Sequence, residues 1–301
     1  MSGTTMIVRL PIPLTLALAA LLLAGCGGRQ PGQPAAAQRA TAASPTATAT
    51  GGTPVAPTGA PSPASPLPSP SPLTSPSPKA AQAVPAARPP VPVQTLTLGR
   101  SVQGRPITAV EFGDPSAERK LVVVGCIHGN EPAGIAIARQ LEQLTPPAGT
   151  DVWVIENLNP DGVAANTRQN ADGVDLNRNF PYGWQPLESP GALMYSGPGS
   201  LSEPESKLAV DFLDKVRPTV SIWYHQHLDL VDLSGGDASL EQRYAAMVGL
   251  KTEQLQRYPG SVTSWENHAF PGSTAFVVEL PAGSLSDAAV NTYAAAALKI
   301  L

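Results

Sequence analysis

His128 and Glu131 stand three residues apart in Gly125-Cys126-Ile127-His128-Gly129-Asn130-Glu131-Pro132, directly after the apolar run Leu121 to Val124. An imidazole and a carboxylate at that spacing, on the turn leaving a buried strand, can close on one metal ion. Alone, such a pair arises by chance in many short windows. Here three further strand-like runs also end in polar groups. Thr150 to Ile155 leads to Asn159, Pro160 and Asp161, Thr219 to Tyr224 leads to His225-Gln226-His227, and Thr274 to Val278 leads to Glu279-Leu280-Pro281. Ligands of open α/β sheets bind beyond the carboxyl ends of the strands, so four such ends predict one shared site. Two imidazoles and one carboxylate leave zinc an open position for water. Glu279 is then a candidate general base. His225 and His227 would share a face if their strand ran on, so either satisfies the pattern.

The elements that must carry these residues follow from periodicity. Gln94 to Ser101 and Gly104 to Phe112 alternate around a Gly/Arg turn, which predicts an edge hairpin. Leu121 to Val124, apolar throughout, predicts a central strand covered on both faces. A helix is expected over Ala133 to Leu144, with Ile135, Ala138 and Leu141 on its apolar stripe. Asn157 to Gly162 reads as a turn, and residues 163 to 199, rich in glycine, proline and asparagine, as a long functional loop. Another helix is expected from Ser202, as N-cap, to Val216. Helices over Ser239 to Gln256 and Ser286 to Leu301 complete the pattern. Strands alternating with helices predict an α/β fold. No internal repeat is visible. Trp153 and Trp223 lie inside strand runs and are expected in the core, whereas His268 is expected at the surface or rim.

Composition divides the chain. Residues 1–25 carry Arg9, the apolar segment Ile12 to Leu23 and small residues before Cys26, a pattern of an export signal too short for a stable membrane span. The residues before Cys26 resemble a bacterial lipobox, which makes Cys26 the expected lipidation site. Residues 26–92 form the expected tether: from Gly27 to Pro92 there are 17 prolines in 66 residues and no acidic residue, a composition that cannot bury enough apolar surface to order itself. The expected domain, 93–301, holds 23 acidic and 14 basic residues, a formal charge of −9. That balance argues against a nucleic-acid partner. With Cys26 lipidated, Cys126 is left without a partner.

Over nearly all of Leu96 to Leu301 the sequence resembles the zinc carboxypeptidase family, and most of all its compact bacterial branch of murein peptide amidases. The resemblance rests on His128-Gly-Asn-Glu131, Asn159-Pro-Asp-Gly162, Gly173-Val-Asp-Leu-Asn-Arg-Asn-Phe-Pro181, the strand-terminal His225 and Glu279-Leu-Pro281. It implies a three-layer α/β sandwich with a mostly parallel mixed sheet and one zinc ion held by His128, Glu131 and His225. Glu279 would be the general base and Asp175 the partner of the second ring nitrogen of His128. Asn177 and Arg178 would grip a terminal carboxylate of the substrate, and Arg168 would stabilise the oxyanion. Tyr258 is a rough positional match for the lid tyrosine of the larger carboxypeptidases.

The expected function is therefore extracytoplasmic hydrolysis of a peptide or γ-glutamyl amide bond beside a free carboxylate, in a cell-wall peptide. The protein is expected as a monomer held at the membrane by its lipid. Two other readings are compatible with the sequence. One is an N-acyl amino acid deacylase of the succinylglutamate desuccinylase and aspartoacylase type, which shares an HGNE-like start. The other is a non-enzymatic lipoprotein that binds wall peptides.

Overall fold

A computed structural model describes residues 94–301. The export signal, Cys26 and the tether lie outside the described residues. The chain opens with the hairpin β1 (Gln94–Arg100) and β2 (Pro106–Gly113), followed by β3 (Arg119–Val124), α1 (Ala133–Leu141), β4 (Thr150–Ile155) and α2 (Pro160–Ala165). A 3-10 turn at Leu176–Arg178 interrupts the long loop before α3 (Pro204–Val216) and β5 (Val220–Gln226). Then come β6 (Leu230–Asp232), α4 (Ala238–Val248), β7 (Lys251–Glu253), α5 (Val262–Ala269), β8 (Thr274–Leu280) and α6 (Asp287–Lys299).

The strands form one sheet in the order β1-β2-β4-β3-β5-β8-β6-β7. Its centre, β4 to β8, is parallel, while β2 joins β4, and β6 joins β8, antiparallel. Side chains alternate across the sheet, and both faces are apolar, hence the unbroken apolar runs. Leu121, Val123, Ile222, Tyr224 and Phe276 face α1, α4 and α6. Val122, Val124, Trp223 and Val277 face α3 and α5. The result is a three-layer sandwich. By the same alternation His225 and Glu279 continue the second face beyond Trp223 and Val277, and they are register partners on neighbouring strands.

Several boundaries differ from expectation. Helix α1 ends at Leu141, and its buried stripe is Gly134, Ile137, Ala138 and Leu141, with Ile135 only half-buried. The stripe is rotated because Gly134 packs directly on the Gly125 backbone and the Tyr224 side chain. The expected turn at Asn157 to Gly162 starts a short helix instead, since the Asn159 side chain accepts from the Gly162 N–H at 2.9 Å and Pro160 sits at its first position. In α3 the cap position belongs to Glu203, and Ser202 donates to the Glu203 carboxylate at 2.6 Å. The expected helix over Ser239 to Gln256 stops at Gly249, whose φ of 73° ends it in the left-handed region. Lys251–Glu253 then adds a strand beside β6.

Candidate active site

The turn after β3 brings His128 and Glu131 against His225 at the end of β5. His128 Nδ1 lies 3.0 Å from Glu131 Oε2, His225 Nδ1 lies 3.1 Å from the same oxygen, and the two Nδ1 atoms are 3.1 Å apart. His128 and His225 are almost wholly buried, at 1% and 3% exposure. Ligand atoms on a tetrahedral zinc with bonds of 2.0–2.1 Å stand roughly 3.3 Å apart, so this triangle has the size of one face of such a site. The donor chemistry agrees. His128 Nε2 faces Asp175 Oδ1 at 3.0 Å, a carboxylate can only accept, and the ring proton therefore belongs on Nε2. The Nδ1 lone pair is left pointing at the other two ligand atoms, an arrangement that a cation stabilises. Among the described residues these three form the group able to hold a metal ion.

Burial alone would raise the carboxyl of Glu131, yet the neighbouring His128 and His225 hold it well below the usual range. The same balance applies to Asp175, which burial would raise and which His128, Arg168 and Arg178 hold down. Both are thus carboxylates at neutral pH. Asp175 precedes the 3-10 turn and accepts from the Asn177 N–H at 3.0 Å as well. Arg168 binds Asp175 Oδ2 through Nε and Glu131 Oε1 through Nη1, each at 2.9 Å. Beneath the loop, the Asn159 amide donates to the carbonyl of Ile127 at 3.1 Å, fixing the turn that carries His128. Cys126 is a buried free thiol that donates to the His128 carbonyl, and burial pushes it up to about 12.

The ligand cluster opens into a hollow of about 310 Å³ lined by Arg168, Asn177, Arg178, Tyr258 and Glu279 among others. A wider hollow of about 770 Å³ adjoins it, sharing Glu131, Arg168 and Glu279 and reaching the exposed Leu193 and Leu228. Glu279 thus stands where the two meet, with Oε2 buried and unpartnered. Arg178 is 7% exposed. Its Nη1 donates to the Asn177 carbonyl at 2.7 Å and its guanidinium lies 4.3 Å from the Tyr258 ring centre, but no carboxylate pairs with it among the described residues, and Nε has no partner. Burial, with Arg168 nearby, depresses its pKa against the opposing pull of Asp175 and Glu131. The Asn177 side-chain oxygen accepts from the Val262 N–H at 2.9 Å, which leaves its amino group for the hollow. The segment is clasped to the loop before α5 by Phe180 N–H to Gly260 carbonyl, 3.0 Å, and Gly260 N–H to Tyr182 carbonyl, 3.3 Å.

His227 falls outside the cluster: β5 ends at Gln226, and His227 is exposed at the wider hollow. His268 is exposed and stacks on Tyr182 at 4.1 Å. Trp153 and Trp223 are core residues. Two groups escaped the sequence pattern. Gln226 ties the site together, accepting from the Ala133 N–H at 3.0 Å and donating to the Pro281 and Gly283 carbonyls at 2.8 Å; its position between two histidines is the one available signal. Asp232 and Arg257 line the inner hollow as an ion pair, 2.6 Å apart.

Comparison with known proteins places this geometry. The family model described as zinc carboxypeptidase matches residues 82–242. The chain belongs to this family. Murein peptide amidase A of Escherichia coli K12 is 30% identical over 189 residues, covering 58% of this chain and 76% of that protein. The crystal structure of murein-tripeptide amidase from Escherichia coli O157 aligns with a TM-score of 0.59 and 27% identity, over 69% of this chain and 92% of that one. Carboxypeptidase A of Helicoverpa armigera shares the fold, with a TM-score of 0.58 at 18% identity over 69% of this chain and 67% of that one. This zinc carboxypeptidase-family chain is a hydrolytic enzyme, and His128, Glu131 and His225 are the residues that could hold its metal.

Proposed function

We propose that this zinc carboxypeptidase-family hydrolase cleaves murein peptides outside the cytoplasm, at an amide bond beside a free terminal carboxylate. The γ-D-glutamyl-diaminopimelate bond is the first candidate. The observation that carries the reading is Arg178, a buried guanidinium without a carboxylate partner, facing the same hollow as the ligand cluster and Glu279. An unpaired buried cation is costly, and a substrate carboxylate supplies the missing partner in bidentate form. The choice of murein is supported by the similarity to murein peptide amidase A.

The residues divide the work as follows. Zinc held by His128, Glu131 and His225 would polarise the scissile carbonyl and acidify water. Asn177 and Arg178 hold the terminal carboxylate and so place the scissile bond where the two hollows meet. Glu279, with one oxygen free, takes the proton of the attacking water and returns it to the leaving amine. Arg168 stabilises the oxyanion, and Asp175 and Glu131 keep its guanidinium in place. Tyr258 supports Arg178 from below through its ring. The leading segment with its export pattern, Cys26 and the proline-rich tether support a lipid-anchored enzyme working at the wall layer.

The test is hydrolysis of L-Ala-γ-D-Glu-diaminopimelate by the purified protein, with metal content measured on the same sample. Release of diaminopimelate is expected, and chelation or Glu279→Gln should abolish it. Zinc-loaded protein that leaves this peptide intact would sink the murein reading and direct attention to ordinary C-terminal peptides and N-acyl amino acids.

A further inference from the structure

We propose that Asp232 and Arg257 select a substrate whose last side chain itself ends in an ammonium and a carboxylate group. The inference deepens the reading above, in which Arg178 takes the terminal carboxylate. Both residues line the inner hollow together with Arg178 and Glu279. Their placement follows from the sheet. Leu230 of β6 is the register partner of Glu279 on β8, so Asp232, two residues further along β6, projects from the same face as Glu279.

Asp232 is a fixed acceptor. Its Oδ1 takes the Leu255 N–H at 2.9 Å, and its Oδ2 takes the Ser234 hydroxyl at 2.8 Å and Arg257 Nη1 at 2.6 Å. Only 5% of its side chain is exposed, against 34% for Arg257, so the arginine is the half that can shift. Val277 and Leu255, on the same lining, provide apolar wall for the methylenes of a long side chain.

The two charges decide what fits. A lysine-like ammonium would have to compete with Arg257 for Asp232, and a lone carboxylate would have to compete with Asp232 for Arg257. Either leaves one charge of the original pair without its partner, a cost that is greatest for Asp232, whose side chain is only 5% exposed. A side chain carrying both groups exchanges partners: its ammonium takes Asp232, its carboxylate takes Arg257, and all charges stay paired. Rejection of the singly charged side chains thus comes from the ion pair itself.

Three peptides test this on the full-length, zinc-loaded protein: L-Ala-γ-D-Glu joined to diaminopimelate, to lysine or to α-aminopimelate, which differ only at the end of the last side chain. The diaminopimelate peptide is expected to lead in kcat/KM by about tenfold or more. Arg257→Gln should move the order towards lysine, and Asp232→Asn towards α-aminopimelate. Equal rates on the three peptides, or an order that neither substitution moves, overturns the proposal. If no γ-glutamyl peptide is cleaved, the murein reading has failed separately. The selection is then read from calorimetric binding of the three free amino acids to zinc-loaded Glu279→Gln, where the same order supports it and equal affinities overturn it. If Asp232→Asn does not fold, Arg257→Gln, altering the more exposed partner, decides the matter.

Discussion

Asp175 holds three donors at once: the Nε2–H of His128, the Nε of Arg168 and the N–H of Asn177. It therefore links the metal ligand, the proposed oxyanion donor and the proposed carboxylate clamp through one buried charge. Asp175→Asn is expected to lower zinc affinity about 10- to 100-fold, the usual consequence of losing a partner behind a ligating histidine. Competition with a chromophoric chelator measures this, and unchanged affinity would remove Asp175 from the role. Glu279→Gln should behave differently, retaining zinc while hydrolysis falls about a hundred- to ten-thousand-fold. At this scale the sequence is informative wherever partners sit within a short motif, as with His128 and Glu131 or Asp175 to Arg178. It is less so for His225 and His227, which alternation treats alike until the strand is seen to stop at Gln226. Asp232 and Arg257 are illegible for another reason. They lie 25 residues apart and meet because a three-residue strand and an irregular loop converge, and neither has a periodicity to detect.

Among the elements, the metal-bearing turn and α2 approach each other closely through glycine. A Cβ added to Gly129 would run into the backbone of Gly162, so the turn can approach the capped helix only with glycine there. Gly129→Ala is expected to push α2 and Asn159 away from the turn, costing about 2 kcal/mol or more of stability and weakening zinc binding. Thermal unfolding with and without zinc tests it, and a variant matching the parent in both would refute the close-packing account. The long, strongly patterned elements are legible from sequence, including the central strands and the alanine-rich α6 with its Ser286 cap. The missed elements are those that tertiary contacts define. Strands β6 and β7 have three residues each and exist by pairing with β8 and with one another. Helix α5 has eight residues, too few for periodicity to stand out, and its first N–H is satisfied by Asn177, 85 residues away.

For the molecule as a whole, a buried acid that is not part of the ligand cluster shapes the pH response. Glu266 is fully buried between the Ser221 hydroxyl and the indole N–H of Trp223, and burial pushes its pKa from 4.5 up to about 7. The folded state therefore keeps a proton that the unfolded chain releases. The associated stability is complete below the unfolded value and is lost as pH rises from 4.5 through about 7. By linkage the loss is roughly 3 kcal/mol. Glu266→Gln, which cannot ionise, should gain on the parent as pH rises from about 5 to about 8 in thermal unfolding; a constant difference would show that the folded state does not raise the pKa of Glu266. The clasp between residues 177–182 and the loop before α5 bears on how such an enzyme can be changed. The metal ligands sit on strand ends elsewhere, so the clasped pair behaves as a cassette. Exchanging residues 254–261 together with 177–182 and Asp232 between related enzymes should transplant selectivity while leaving the reaction centre intact, whereas moving either half alone would break the hydrogen bonds that seat the other.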